Sequence, residues 1–206
     1  TSSDNPIPLN NNTIITSIGV PFQNSVSGFL IHNNDNNTIQ ECNITLSSCT
    51  TIGSGTNILY YASNPINGDS YMCVDGSLYV FSNSSNSLIN TGATCSNYTY
   101  QPLYPIDNQG LYVVVYDNTG TTSIERYNYG SSSFQTIYSS SYHIESTAMT
   151  NNYLLVSTSN PSNSNYSILA IAKNGSSSNT IYSGTNLSYI TLFSSSNEVF
   201  INLVGQ

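Results

Sequence analysis

Short apolar or β-branched runs alternate with clusters of Asn, Ser, Thr, Gly and Pro along the whole chain. Residues 1–13 are polar, with Pro6, Pro8 and Asn10-Asn11-Asn12, and read as an extended arm. The run from Thr13 to Val20 follows. Its Ile14, Thr16, Ile18 and Val20 share one face, and Ile15 and Ser17 share the other. That pattern predicts a strand with one good apolar face, stopped by Pro21. Further strands are predicted at Gly28–Ile31, Thr38–Leu46, Asn57–Ala62, Ser70–Val74 and Ser77–Phe81, with a weaker signal at Leu88–Ile89. Asp75-Gly76 marks a hairpin turn between two of them. Residues 94–108 hold two prolines and read as a long connection.

The second half is more regular. Leu111–Asp117 is nearly continuous in apolar residues, as a strand buried on both faces would be. Strands are predicted after it at Ser123–Tyr129, Phe134–Tyr138, His143–Thr147, Tyr153–Thr158, Tyr166–Ala172, Thr180–Tyr182, Tyr189–Phe193 and Glu198–Leu203. No 12-residue window has helical periodicity, and Asn, Ser and Thr compete with the helix backbone for hydrogen bonds. The chain is therefore expected to be all-β, a sandwich or barrel. A propeller-like alternative rests on strands near Leu111, Tyr153 and Val199, which restart a four-strand pattern.

Composition sharpens this picture. The 206 residues suffice for one large domain or two small ones, and the connection near residues 100–110 is where a division is expected. There are 17 Tyr and 6 Phe but no Trp, a set that suits pleated surfaces. Only two residues are Lys or Arg, namely Arg126 and Lys173, against ten acids, for a formal charge of −8. Phosphate neutralisation needs several cations, so nucleic-acid binding is excluded, as is attraction to an anionic membrane surface. Solubility must come from 30 Asn, 37 Ser and 21 Thr. Eight Asn-x-Ser/Thr sequons start at Asn11, Asn36, Asn43, Asn83, Asn97, Asn165, Asn174 and Asn186. Composition alone predicts about eight, so their number carries no signal, although each is a glycan acceptor in a secreted chain.

Cys42, Cys49, Cys73 and Cys95 give an even count, which points to two disulfides in an oxidising compartment. Three pairings are possible, and neighbour pairing is the first choice. The chain opens Thr1-Ser2-Ser3-Asp4 without Met, and a removed signal peptide is expected. No apolar run reaches the ~20 residues that span a bilayer.

Candidate chemistry is sparse. His32 and His143 lack a flanking motif, and no Gly-x-Ser-x-Gly elbow occurs. Gly53-Ser54-Gly55 reads as a turn rather than a phosphate loop. Glu125-Arg126 and Glu145 suggest a local ion pair. Asp69 and Asp75 read as turn residues, with a carboxylate pair across the 70–81 hairpin as the alternative. Asp35, Asp69, Asp107 and Asp117 are candidate calcium ligands without the twelve-residue loop pattern. No catalytic residue, metal ligand or cofactor is assigned.

The arm, the strand of residues 13–20, the four cysteines, the sequon-rich surface and the scarcity of cations together resemble the subunits of archaeal surface thread filaments. That resemblance implies an immunoglobulin-like β-sandwich head over residues 21–206, and an arm and donor strand over residues 1–20. It implies a homopolymer assembled head-to-tail by donor-strand complementation, with Ile14, Thr16, Ile18 and Val20 inserted into the next subunit. It also implies N-linked glycans at the sequons. The alternatives are a virion surface or S-layer-associated glycoprotein, and a carbohydrate-binding module.

Overall fold

The structure, a computed structural model, describes residues 28–33, 36–43, 48–64, 66–95, 106–117, 120–160, 162, 165–185, 187–194 and 199–205. The expected donor strand with Ile14, Thr16, Ile18 and Val20, the sequons at Asn11, Asn97 and Asn186, and Asp35 lie outside these residues. Among the described residues every regular element of more than one residue is a β-strand, so the all-β expectation holds. They form two compact units, residues 28–95 with 106–108 and residues 109–205.

In the first unit, β1 (Gly28–Asn33), β2 (Thr38–Asn43) and β3 (Cys49–Ser54) form one antiparallel sheet. β4 (Ile58–Ser63), β5 (Ser70–Val74), β6 (Ser77–Ser82) and β7 (Ser87–Thr94) form a second. Leu30 and Ile39 of the first sheet pack with Met72, Val74 and Phe81 of the second. The β5–β6 hairpin turns on Asp75 and Gly76, at φ 49° and 82°. Two successive positive-φ residues suit the right-handed strand twist, and the short side chain of Asp and the missing one of Gly tolerate them. The loops of this unit follow the same logic: Asn64 Oδ1 accepts the Ile66 amide, and Asn67 Oδ1 accepts that of Asp69.

β3 departs from the sequence reading. Its Thr50, Thr51, Gly53 and Ser54 show no apolar alternation, and Gly53-Ser54 was expected to turn. The strand forms because β2 templates it, with Cys42 facing Cys49 in register. Gly53 belongs there sterically, since a Cβ would sit 2.6 Å from the Leu88 side chain.

In the second unit, β8 (Gly110–Tyr116), β9 (Thr122–Asn128) and β10 (Phe134–Ser140) form a three-stranded sheet. β11 (His143–Met149), β12 (Tyr153–Asn160), β13 (Asn165–Ala172) and β14 (Ser178–Gly184) form a four-stranded one, and β15 (Leu187–Ser194) pairs with β16 (Val199–Gly205). Leu111, Tyr112, Val113 and Val114 are each at most 1% exposed, so β8 is buried on both faces, as its apolar run predicts. Ala148, Leu155 and Ile168 pack against Ile190 and Leu192 of β15.

In both units the sheets pack through apolar inner faces, as stacked sheets do. Within every sheet the strands follow sequence order as an antiparallel meander. That is also the strand order within a propeller blade. The first sheet of the second unit begins at Gly110, beside Leu111 as expected, whereas the next two begin at His143 and Leu187 rather than near Tyr153 and Val199. Tyr153 opens the second strand of its sheet and Val199 the last of its pair. Successive hairpins look alike in sequence, and only tertiary packing decides where one sheet ends.

Candidate functional site

The cysteines pair as neighbours, Cys42 with Cys49 and Cys73 with Cys95. The first bridge joins register partners on β2 and β3. The second ties buried β5 to the residue after β7, where the Cys95 amide donates to the Gly76 carbonyl at 2.9 Å. These bridges are compatible with an oxidising, extracellular setting. No helix among the described residues is long and apolar enough to cross a membrane.

The described sequons differ in how they present their amide. Asn36, Asn83, Asn165 and Asn174 are exposed and Asn43 is half-buried. Asn36 Oδ1 accepts from the Thr38 hydroxyl of its own sequon. Asn174 Oδ1 accepts the Ser176 amide. Asn83 is different: its Nδ2, the atom a glycan would occupy, donates to the Asn67 carbonyl at 3.3 Å and packs beside Gly68.

The candidate catalytic groups do not converge. His32 is buried on β1, and burial holds its pKa below the ordinary 6.5. His143 is exposed on β11, with its ring 5.9 Å from that of Tyr116. Asp69 and Asp75 sit at opposite ends of β5. Asp75 accepts the Thr56 hydroxyl at 2.8 Å and the Asn57 amide at 2.8 Å, whereas Asp69 accepts the Asn83 amide at 2.9 Å. These bonds hold the Asp75 carboxyl below its ordinary 3.8. Both acids brace turns, so no glycosidase-like pair forms. Of the residues expected to form a local pair, Arg126 donates to the Lys173 carbonyl and Glu145 accepts from Ser159. Burial raises the Glu125 pKa. Among the described residues no group of three or more His, Cys, Asp or Glu is placed to hold a metal. Tyr61 is fully buried and Tyr60 half-buried, and the β4–β5 register shifts between Tyr60 and Ala62, so strand alternation does not set their faces there.

One feature was not visible in the chain's chemistry. β16, Val199–Gly205, is Val-Phe-Ile-Asn-Leu-Val-Gly and carries no charge. Such a run reads as a strand covered on both faces. Yet Phe200 is 56% exposed, Ile201 46%, Leu203 42% and Val204 42%. Ile201 and Leu203 lie opposite Leu192 and Ile190, which are core residues. Val199 of β16 packs against that core, but Phe200, Ile201, Leu203 and Val204 do not share its burial. Among the described residues β16 pairs with β15 alone. β16 carries neither charge nor proline, and its register with β15 shifts between Leu187 and Tyr189.

No protein-family model matches the chain, and no curated protein matches it. Solved structures resemble it in fold. Hydrazine synthase from Kuenenia stuttgartiensis superposes with a TM-score of 0.55 at 14% identity, covering 89% of this chain and 55% of that one. The extracellular domain of a hybrid two-component system from B. thetaiotaomicron gives 0.53 at 14% identity, over 90% of this chain and 24% of that one. A prolyl endopeptidase gives 0.53 at 11% identity, over 82% and 29%. These likenesses show the fold alone. The chain spans about half the length of the first of these relatives and about a quarter of the others.

Proposed function

We propose that the protein is a non-enzymatic structural subunit of an extracellular, glycosylated filament, assembled head-to-tail by strand donation. The donor is the segment from Thr13 to Val20 and the acceptor is the β15–β16 pair of another copy, where the apolar side chains of β16 are exposed. The observation that carries this reading is the exposed, uncharged, two-faced apolar β16. A donated strand would meet the exposed apolar side chains of β16 with Ile14, Thr16, Ile18 and Val20. Because donor and acceptor are different surfaces, the contact propagates rather than closes. The scattered carboxylates and histidines support a structural role over a catalytic one.

Deleting residues 1–20 tests the donor. The truncated chain should be secreted, folded and monomeric. If it still forms filaments, this segment is not the connector. If the full chain is itself monomeric with residues 13–20 paired to its own β16, the strand completes its own subunit and the polymer reading fails.

A further inference from the structure

We propose that the second unit carries a binding cleft for an anionic saccharide, specifically one bearing a uronic acid carboxylate. Both cations of the whole chain, Arg126 and Lys173, line one cleft of about 340 Å³. In a chain of net charge −8 they are separated by 46 intervening residues, and folding brings them together through the ends of β9 and β13. As the two cations of a net-negative chain, they give this cleft a local positive character.

The guanidinium is positioned rather than loose. Arg126 Nη1 donates to the Lys173 backbone carbonyl at 3.0 Å, and Nη2 to Gln109 Oε1 at 3.4 Å. Its Cζ lies 5.7 Å from the centre of the Tyr112 ring, within the range of a cation–π contact. These bonds occupy one N–H on each terminal nitrogen, and each terminal nitrogen carries a second. The group is therefore held in orientation with donor capacity remaining, the condition under which Arg recognises a carboxylate well. Backbone bonds fix the opposite wall: the Lys173 amide donates to the Asn152 carbonyl at 3.2 Å and the Ala172 amide to that of Ser177 at 2.8 Å.

The rest of the lining selects a sugar over a bare ion. Asn151 and Asn152 are exposed side-chain amides, which can both donate to and accept from sugar hydroxyls. Tyr153, 41% exposed at the same cleft, offers an amphipathic ring for the apolar face of a pyranose. A volume of this size lies in the range of small-ligand sites. The global charge of the protein repels anions at long range, so recognition must be local and is confined to this cleft.

The test is calorimetric titration of the full chain with cellobiouronic acid, cellobiose and sodium sulfate at matched ionic strength. The proposal expects saturable binding of cellobiouronic acid at about 1 mM or tighter, and at least tenfold weaker binding of both cellobiose and sulfate. Lys173→Gln keeps the backbone carbonyl that holds Arg126, and should weaken cellobiouronic acid binding at least tenfold with an unchanged melting temperature. Arg126→Gln should do the same, with its melting temperature reporting any loss of packing on Tyr112. Equal binding of cellobiose would overturn the role of charge, and equal binding of sulfate the role of the sugar. No binding of cellobiouronic acid, or binding indifferent to Lys173→Gln, would overturn the site.

Discussion

Ser146 and Ser157 face each other across β11 and β12 with their hydroxyls 2.7 Å apart, both buried. Together they hold the backbone of β15, a strand of a different sheet. Ser146 Oγ accepts the Leu192 amide at 3.1 Å and lies 3.1 Å from the Ile190 carbonyl, which Ser157 reaches at 3.3 Å. Side-chain hydroxyls thus do at this junction what a neighbouring strand does in a ladder. They dock the β15–β16 pair on the four-stranded sheet and leave β16 as the outer strand.

Removing that dock should be costly for its size. Ser146→Ala leaves the buried Leu192 amide without its hydroxyl acceptor, and an unsatisfied buried amide costs about 1–3 kcal/mol. Chemical denaturation of Ser146→Ala should show a loss in that range. Ser159→Ala, whose hydroxyl bonds the less buried Glu145, should lose less. Equal losses would mean the buried junction has no special weight.

The two disulfides should contribute unequally. Cys42–Cys49 spans a sequence separation of 7 and Cys73–Cys95 one of 22. Loop-closure entropy predicts about 2 and about 3 kcal/mol respectively. Paired Cys→Ser replacements followed by urea unfolding check the order, with the Cys73/Cys95 pair the more damaging.

Acid should change stability little, because the shifted groups oppose one another. Asp75 has a lowered pKa, so its stabilisation is present above 3.8 and is lost as pH falls through its folded value. His32, also lowered, gives stability that is present above 6.5 and declines below it. Glu125 is raised by burial, so its contribution is full below 4.5 and is lost as pH rises through its folded value. With only two cations, protonating the acids creates little positive self-repulsion. The denaturation midpoint should therefore vary weakly between pH 2 and 7. Asp75→Asn should be less stable than the parent at pH 6, and the gap should narrow by pH 2. A gap constant across that range would show that the Thr56 and Asn57 bonds do not depend on the charge of Asp75.

Strand positions were legible wherever side chains alternate or cluster. β5 matches its predicted bounds, and β8 announces its burial through Leu111 to Val114. β3 was not legible, because Thr50, Thr51 and Gly53 gain their place from β2 and from Leu88 rather than from their own pattern. The cleft was invisible for a related reason. Nothing near Arg126 in sequence points to Lys173, and only the stacking of separate meanders brings them together. The apolar run of β16 was legible as a strand, but its exposure was not, since a run buried on both faces and an exposed one have the same spelling.

The most direct test of the account is electron microscopy of the full chain beside a variant carrying Ile201→Lys and Leu203→Lys. Both changes charge one face of β16 at positions already more than 40% exposed, so the fold should survive and circular dichroism should be unchanged. The account predicts filaments for the parent chain and dispersed monomers for the variant. Filaments of equal number and length in both samples, or none in either, would contradict it.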